Sequence, residues 1–351
     1  MNCKYEGIGK FIFENGGYYI GEFKNGLING KGILNYKNGF IDFGDYIYVF
    51  GNKTDEEKKN IKLITKDYYI GEWKDGLNHG KGIIYNKNGN IIYEGDFIKG
   101  KPEGNGKYIF ENGDYYIGEF KNDMKHGKGI IYYKNGNIKY EGDFIEDKPE
   151  GNGKYIDEDG YYYIGEWKNG LMNGKGIIFY KNGNIKYEGD FIENKFEGNG
   201  KYIDEYGDYY IGEWKNGLKH GKGIIYYKNG NILYEGNFIE DKYEGNGKYI
   251  DEDGEYYIGE WKNGLKHGKG KEYYDKENIK YEGDFIEDKY DGNGKYTFKS
   301  GEYYIGEWKN NLRHGKGKFY NKNGIIQFEG DYVNDFPEYI TINKKNKYKN
   351  I

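Results

Sequence analysis

Alanine is absent from this sequence, and no segment shows an apolar period near 3.6 residues. Without the strongest helix former, and without a helical stripe, helix is excluded as the main element. Cys3 is the only cysteine, so an intrachain disulfide is excluded and an oxidising compartment has left no mark. Long apolar runs are missing too: most are no longer than tetrapeptides such as Ile177 to Tyr180, and Met1 to Lys10 holds no apolar signal core. Neither a signal peptide nor a transmembrane segment is expected, which makes the chain cytoplasmic rather than secreted. There is no net positive charge, the formal balance being -5 with a pI near 5.8. Bulk attraction to nucleic acid or to an anionic membrane is therefore not expected. Aliphatic residues are scarce as well, with 36% hydrophobic content and a mean hydropathy of -1.04 over 351 residues. Two or three compact domains of that total length would need more apolar surface to close their interiors.

What the chain does have is 60 glycines, 44 tyrosines and an aromatic content of 19%. Tyrosine suits strands, where its ring covers neighbours while the hydroxyl is expected to stay in water. An all-β fold follows. The excess of Lys, Asn, Ile and Tyr over Ala, Val and Arg reads as codon bias from an AT-rich genome, so lysine abundance alone is given no function.

Self-similarity organises the whole chain. A tyrosine opens a copy at 69, 116, 163, 210, 257 and 304, each step being 47 residues, and a second kind opens 24 residues after each, at 93, 140, 187, 234, 281 and 328. We call these A units, such as YIGEWKNGLKHGKGIIYYKNGN from Tyr210, and B units, such as YEGNFIEDKYEGNGKYIDEDG from Tyr234. Tyr19 and Phe43 open another A and B pair, making fourteen units after a half unit from Tyr5 to Gly17. The expected organisation is an N-terminal half repeat or cap over 1–18, tandem repeats over 19–337, and a basic tail over 338–351 that reads as disordered. Within the array the unit over 43–68 is irregular, and its polar stretch Gly51 to Asn60 reads as an enlarged loop. The grammar ends after Pro337, where Tyr339 and Thr341 replace glycines.

Each unit reads as two strands and a turn. Period-two alternation puts Tyr210, Gly212 and Trp214 on one face and Tyr209, Ile211 and Glu213 on the other. Lys215-Asn216-Gly217 suits a tight reversal, Gly221-Lys222-Gly223 opens the second strand, and Asn229-Gly230 turns into the next unit. Glycines at Gly212, Gly221 and Gly223 are expected to leave room for rings to lie flat in place of an ordinary core. A lone hairpin is marginal in water, so each unit depends on its neighbours.

The pattern YxGxW, a turn, then GxGxxxY resembles the MORN repeat over about Tyr5 to Pro337. B units depart from it by phenylalanine for tryptophan and by acidic turns. The resemblance implies an elongated single-layer antiparallel sheet, a solenoid of stacked β-hairpins grooved on one side. It also implies protein partners, frequent homodimers, and service at cytoskeleton, cell cortex, cilium or membrane contact sites, without catalysis by the repeats themselves.

Charge alternates along the array. Tyr210 to Leu233 carries four lysines against Glu213, net +3, whereas Tyr234 to Tyr256 carries two lysines against eight carboxylates, net -6. Opposite neighbours favour A beside B, which serves register and solubility or matches a charged partner. All five histidines (His79, His126, His220, His267, His314) occupy one A-unit position. At four strands, about 19 Å, per step they cannot converge on one metal, so they read as turn-flanking residues. No phosphate-binding loop, calcium loop or enclosed acid/base pair fits, and no cofactor or metal is expected.

The function expected is therefore a non-enzymatic scaffold, about 130 Å long if the units stack in one line. Trp73, Trp167, Trp214, Trp261 and Trp308 are the candidate partner contacts, with core packing as the competing role. The alternatives are a membrane-associated adaptor using Lys215, Lys219 and Lys222 for phosphoinositide headgroups, which the acidic B units disfavour, and an accessory or targeting subunit of a separate kinase. Nucleic acid is not among the expected partners.

Overall fold

Tyr-Ile-Gly-Glu-Trp alternates side chains on a pleated backbone, and Asn-Gly pairs at two-residue spacing reverse it, so these segments become short antiparallel strands. The computed structural model describes residues 6–12, 18–35, 47–48, 68–86 and 88–338. The enlarged loop expected at Gly51 to Asn60, the residues Tyr339 and Thr341, and the expected tail beyond them lie outside the described residues. The chain forms two compact blocks, Met1–Asn184 and Ile185–Ile351. Among the described residues each contains fourteen strands, and every described element is a β-strand. Within a block, consecutive strands pair antiparallel as a ladder of hairpins, the exceptions lying around Ile47–Tyr48. Neither sheet closes: among the described residues Gly7–Ile12 pairs only with Tyr18–Lys24, and Phe336–Pro337 only with Ile326–Val333.

One module shows the construction. Strands Tyr209–Lys215, Leu218–Tyr226, Ile232–Ile239 and Lys242–Ile250 follow one another. The tight turns have positive φ at both central positions, 53° and 85° at Asn216-Gly217, and 49° and 67° at Glu240-Asp241. That geometry matches the right-handed twist of the flanking strands. The second strand thus begins at Leu218, not at Gly221. Gly212 pairs with Gly223 but Glu213 with His220, so Gly221 and Lys222 form a bulge that pairs instead with Phe238 and Asn237 of the next unit.

The core is built on glycine. In the C-terminal block the pairs Gly212↔Gly223, Gly223↔Gly236 and Gly236↔Gly247 belong to an unbroken cross-strand line from Gly189 to Gly330. A similar line runs from Gly71 to Gly176 in the N-terminal block. Over this bare backbone lie the unit-opening tyrosines: a Cβ at Gly212 would stand 2.6 Å from the Tyr210 ring, and one at Gly223 would run into the same ring. Gly221 is different, since its φ is +55° and a Cβ there would meet the Glu213 carboxylate, not a ring. The expectation that these hydroxyls stay in water is corrected too. Tyr210 is 2% exposed, and its Oη donates to the Glu213 carbonyl at 2.9 Å. The same bond recurs at Tyr69, Tyr116, Tyr163, Tyr257 and Tyr304. Neighbouring rings then meet edge to face: Tyr210–Trp214 at 5.1 Å, Tyr210–Phe238 at 5.2 Å, Tyr234–Phe238 at 5.1 Å. Each such contact is worth about 1 kcal/mol beyond the buried area.

Apart from Ile47–Tyr48, the B unit expected to open at Phe43 lies outside the described residues. Strand Leu27–Asn35 pairs directly with Tyr68–Lys74 through Gly30↔Trp73, and the Gly76 N–H reaches the Ile28 carbonyl at 2.8 Å. Ile47–Tyr48 bridges to both strands over two residues. Gly30↔Trp73 reproduces the register of Gly245↔Trp261. Replacing residues 36–67 by the five-residue connection 251–255 is therefore expected to leave the urea unfolding midpoint undiminished. A loss above about 1 kcal/mol would show that the intervening segment supports the sheet.

Candidate interaction surface

The two faces of each sheet differ in what they offer a partner. On the aromatic face Trp73, Trp214, Trp261 and Trp308 are buried, and Trp167 is half-buried. Trp167, Trp214, Trp261 and Trp308 each donate Nε1–H to a glycine carbonyl of the preceding strand, at 3.2 to 3.4 Å. These rings are wedged edge-on between tyrosines, as Trp261 is against Tyr234, Tyr243 and Tyr257. Burial pushes the tyrosine hydroxyls up: Tyr19 to about 12, with Glu22 adding to the effect, and Tyr243 to about 12. Tyr210, Tyr234, Tyr257 and Tyr281 are raised by the same desolvation first, then by nearby ionisable groups.

The three headgroup candidates do not converge. Lys219 lies on the aromatic face with Nζ 5.7 Å above the Tyr210 ring and 3.7 Å from Asp241. Lys215 and Lys222 are exposed and belong to the opposite face, Lys215 pairing with Leu218 and Lys222 with Asn237. His220 is placed across from Glu213, and His267 across from Glu260. Among the described residues no group of three or more His, Cys, Asp or Glu could hold a metal ion, and no helix is long and apolar enough to cross a membrane.

The opposite face is the open one. Its central row in the C-terminal block reads Lys201, Ile211, Ile224, Glu235, Lys248, Ile258 across successive strands. Ile211 is 44% exposed, and Ile258 and Ile305 are similarly exposed. Beside this row, tyrosines stack in pairs, Tyr209–Tyr226 at 4.6 Å and Tyr256–Tyr273 at 4.2 Å, with Lys201 and Lys248 over the first ring of each. In the N-terminal block this side holds two neighbouring open hollows. One of about 550 Å³ is lined by Ile70, Ile83, Glu94 and Ile117, and one of about 540 Å³ by Asp96, Glu103, Glu119 and His126. The motif glutamate shapes the same face, because Glu213 Oε1 accepts the bulged Lys222 N–H at 2.9 Å. Glu213→Ala should cost about 1 kcal/mol in urea unfolding and expose the Lys222 amide to hydrogen exchange. Unchanged protection at Lys222 would remove this role.

Two features of this surface were not picked out from the repeat. Lys271 and Glu272 replace the isoleucines Ile224 and Ile225, and Asn237 stands where Asp96, Asp143 and Asp284 pair with Lys81, Lys128 and Lys269. Lys271 faces out and pairs with Glu282 at 2.8 Å. Glu272 turns to the aromatic side, where it meets Lys266 and accepts the Tyr290 hydroxyl at 2.5 Å. The available signal was two adjacent charges where five A units carry an aliphatic pair and the last carries Lys318-Phe319.

The glycine line, the tyrosine over it and the bulge glutamate explain the Tyr, Gly and Glu letters of the A unit, and they coincide with a known repeat. The MORN repeat family matches at residues 4–18, 19–40, 69–91, 93–115, 116–138, 140–160, 163–185, 187–208, 210–232, 234–256, 257–278, 281–303 and 304–325. The chain belongs to the MORN repeat family. The MORN matches leave out the segments opening at Phe43 and Phe328. No curated protein matches this chain. Among solved structures, the TCP10 domain of Danio rerio CPAP in complex with a STIL peptide is 12% identical, with 73% of this chain and 97% of that chain covered and a TM-score of 0.23. A protein of unknown function from Bacteroides caccae is 13% identical, with 74% and 93% covered and a TM-score of 0.15.

Proposed function

We propose that this MORN-repeat protein is a non-enzymatic scaffold that holds protein partners at the cytoskeleton, cell cortex or cilium. The observation that carries the reading is the asymmetry of the sheet: one face consumes its aromatics in packing, while the other presents isoleucines at a fixed interval among paired charges. Exposed apolar groups in a polar frame are the usual substance of a recognition surface. The tryptophans contribute by holding that surface flat, not by touching a partner.

Capture of the tagged chain from cells after cross-linking tests this. Changing Ile117, Ile164 and Ile211 to lysine should remove the captured partners while leaving the circular dichroism unchanged. An identical partner set in that variant would place recognition elsewhere, and turnover by the purified chain would end the scaffold reading.

A further inference from the structure

Beside the hairpin turns, on the face opposite the aromatics, residue type changes two by two. Across successive strands of the C-terminal block the order is Leu218, Ile239, Lys242, Lys262, Leu265 and Ile286. The pairings Ile239↔Lys242 and Lys262↔Leu265 align them within each hairpin, and between hairpins the register of Gly245↔Trp261 sets Lys242 two residues from level with Lys262. All four aliphatic side chains are exposed. Lysines nearer the strand centres are in part neutralised, as Lys269 is by Asp284 at 2.5 Å and Lys271 by Glu282 at 2.8 Å, or lie over tyrosine rings, as Lys201 and Lys248 do. Among the described residues neither Lys242 nor Lys262 has a carboxylate within ion-pair distance. Glu244, on the strand beside Lys262, is engaged by the Asn263 N–H at 2.9 Å, and Glu240 stands beyond the row in the turn. The same order recurs in the N-terminal block from Leu77 and Ile98 to Lys101 and Lys121.

We propose that this edge is a docking stripe for an extended polypeptide carrying apolar and acidic residues with a six-residue period. The proposal rests on the scaffold reading and names the chemistry of its partner. Unpaired lysines call for carboxylates, and the aliphatic pairs between them call for branched apolar side chains. The pitch then selects the conformation. The pattern repeats every four strands, about 19 Å. An extended or polyproline chain covers that distance in about six residues, an even number and two polyproline turns, so the same side returns to the stripe. A straight α-helix needs about 13 residues, roughly three and a half turns, and presents its opposite side at the next step. One step offers little contact area, so affinity accumulates along the row by multivalency.

The test is calorimetric titration of the full-length chain with synthetic peptides of about 18 residues, the length of three steps. Each carries leucine and glutamate three times in a serine-threonine background, spaced by five, six or seven residues. The six-residue spacing should bind at least about tenfold more tightly than the other two, and cutting it to a single step should weaken it at least about tenfold. Lys242→Glu with Lys262→Glu should weaken the six-residue peptide severalfold without altering the strand signal. Equal binding of all three spacings, or of none, overturns the proposal. Binding of phosphatidylserine vesicles that is lost in the same variant, with no peptide bound, also overturns it and assigns the stripe to a lipid surface. If peptides fail while partners are still captured from cells, the scaffold stands and this stripe does not.

Discussion

Above pH 10 this protein is expected to lose its structure cooperatively, and to have lost it before pH 12. Tyrosine in an unfolded chain ionises near 10, whereas Tyr187, Tyr210, Tyr234, Tyr257, Tyr281 and Tyr304 of the C-terminal block are at most 2% exposed and all have raised values. Below pH 10 both states keep the phenolic proton and the shift has no effect on stability. As the pH rises further the unfolded state releases protons that the folded state retains, so it binds fewer, and stability falls with pH. Each group costs about 1.4 kcal/mol at pH 11, so six of them remove about 8 kcal/mol. That is comparable with the whole stability of a typical domain, about 5–15 kcal/mol. Circular dichroism and tyrosinate absorption followed together should change in one step. Ionisation of these tyrosines ahead of any loss of strand signal would contradict their burial.

Gly223→Val is expected to destabilise the C-terminal block by about 3 kcal/mol, although valine is among the best strand residues. The added Cβ alone would run into the Tyr210 ring, whose hydroxyl is fixed to the Glu213 carbonyl. With its hydroxyl tethered and Trp214 and Phe238 on its flanks, the ring has nowhere to go. Gly230→Ala is the contrast: its φ is +87° and nothing lies within 4 Å, so only the backbone conformation is strained, at about 1–2 kcal/mol. Urea titration of both variants separates the two kinds of glycine. Equal costs would mean that the ladder glycines serve backbone freedom alone.

Much of this fold was legible because its periods are short and repeated. Tyr210, Gly212 and Trp214 share a face as period-two alternation requires, and Asn216-Gly217 turns where an Asn-Gly pair should. Gly221 was misread since a ring clearance and a bulge both call for glycine, and only the pairing of Glu213 with His220 distinguishes them. The pairing of Leu27–Asn35 with Tyr68–Lys74 was not legible for another reason: an opening aromatic is a local signal, whereas pairing between strands this far apart in sequence depends on which strands Leu27–Asn35 can reach. The docking stripe was invisible along the chain, since Leu218, Ile239, Lys242 and Lys262 become neighbours only once four strands lie side by side.

A row of near-identical hairpins faces a problem of counting, because a strand can mispair with the copy one module away at almost no energetic difference. Glu272 narrows that ambiguity in the C-terminal block, being a carboxylate that accepts the Tyr290 hydroxyl at a place where the equivalent residue is Ile225. Lys266 shares its strand and moves with it, and one module away Tyr243 offers the same hydroxyl, but two modules away Phe196 stands there and leaves the carboxylate without that donor. Glu272 thereby acts as a frame marker against a two-module shift, and restoring isoleucine there should slow refolding by populating chains that far out of frame.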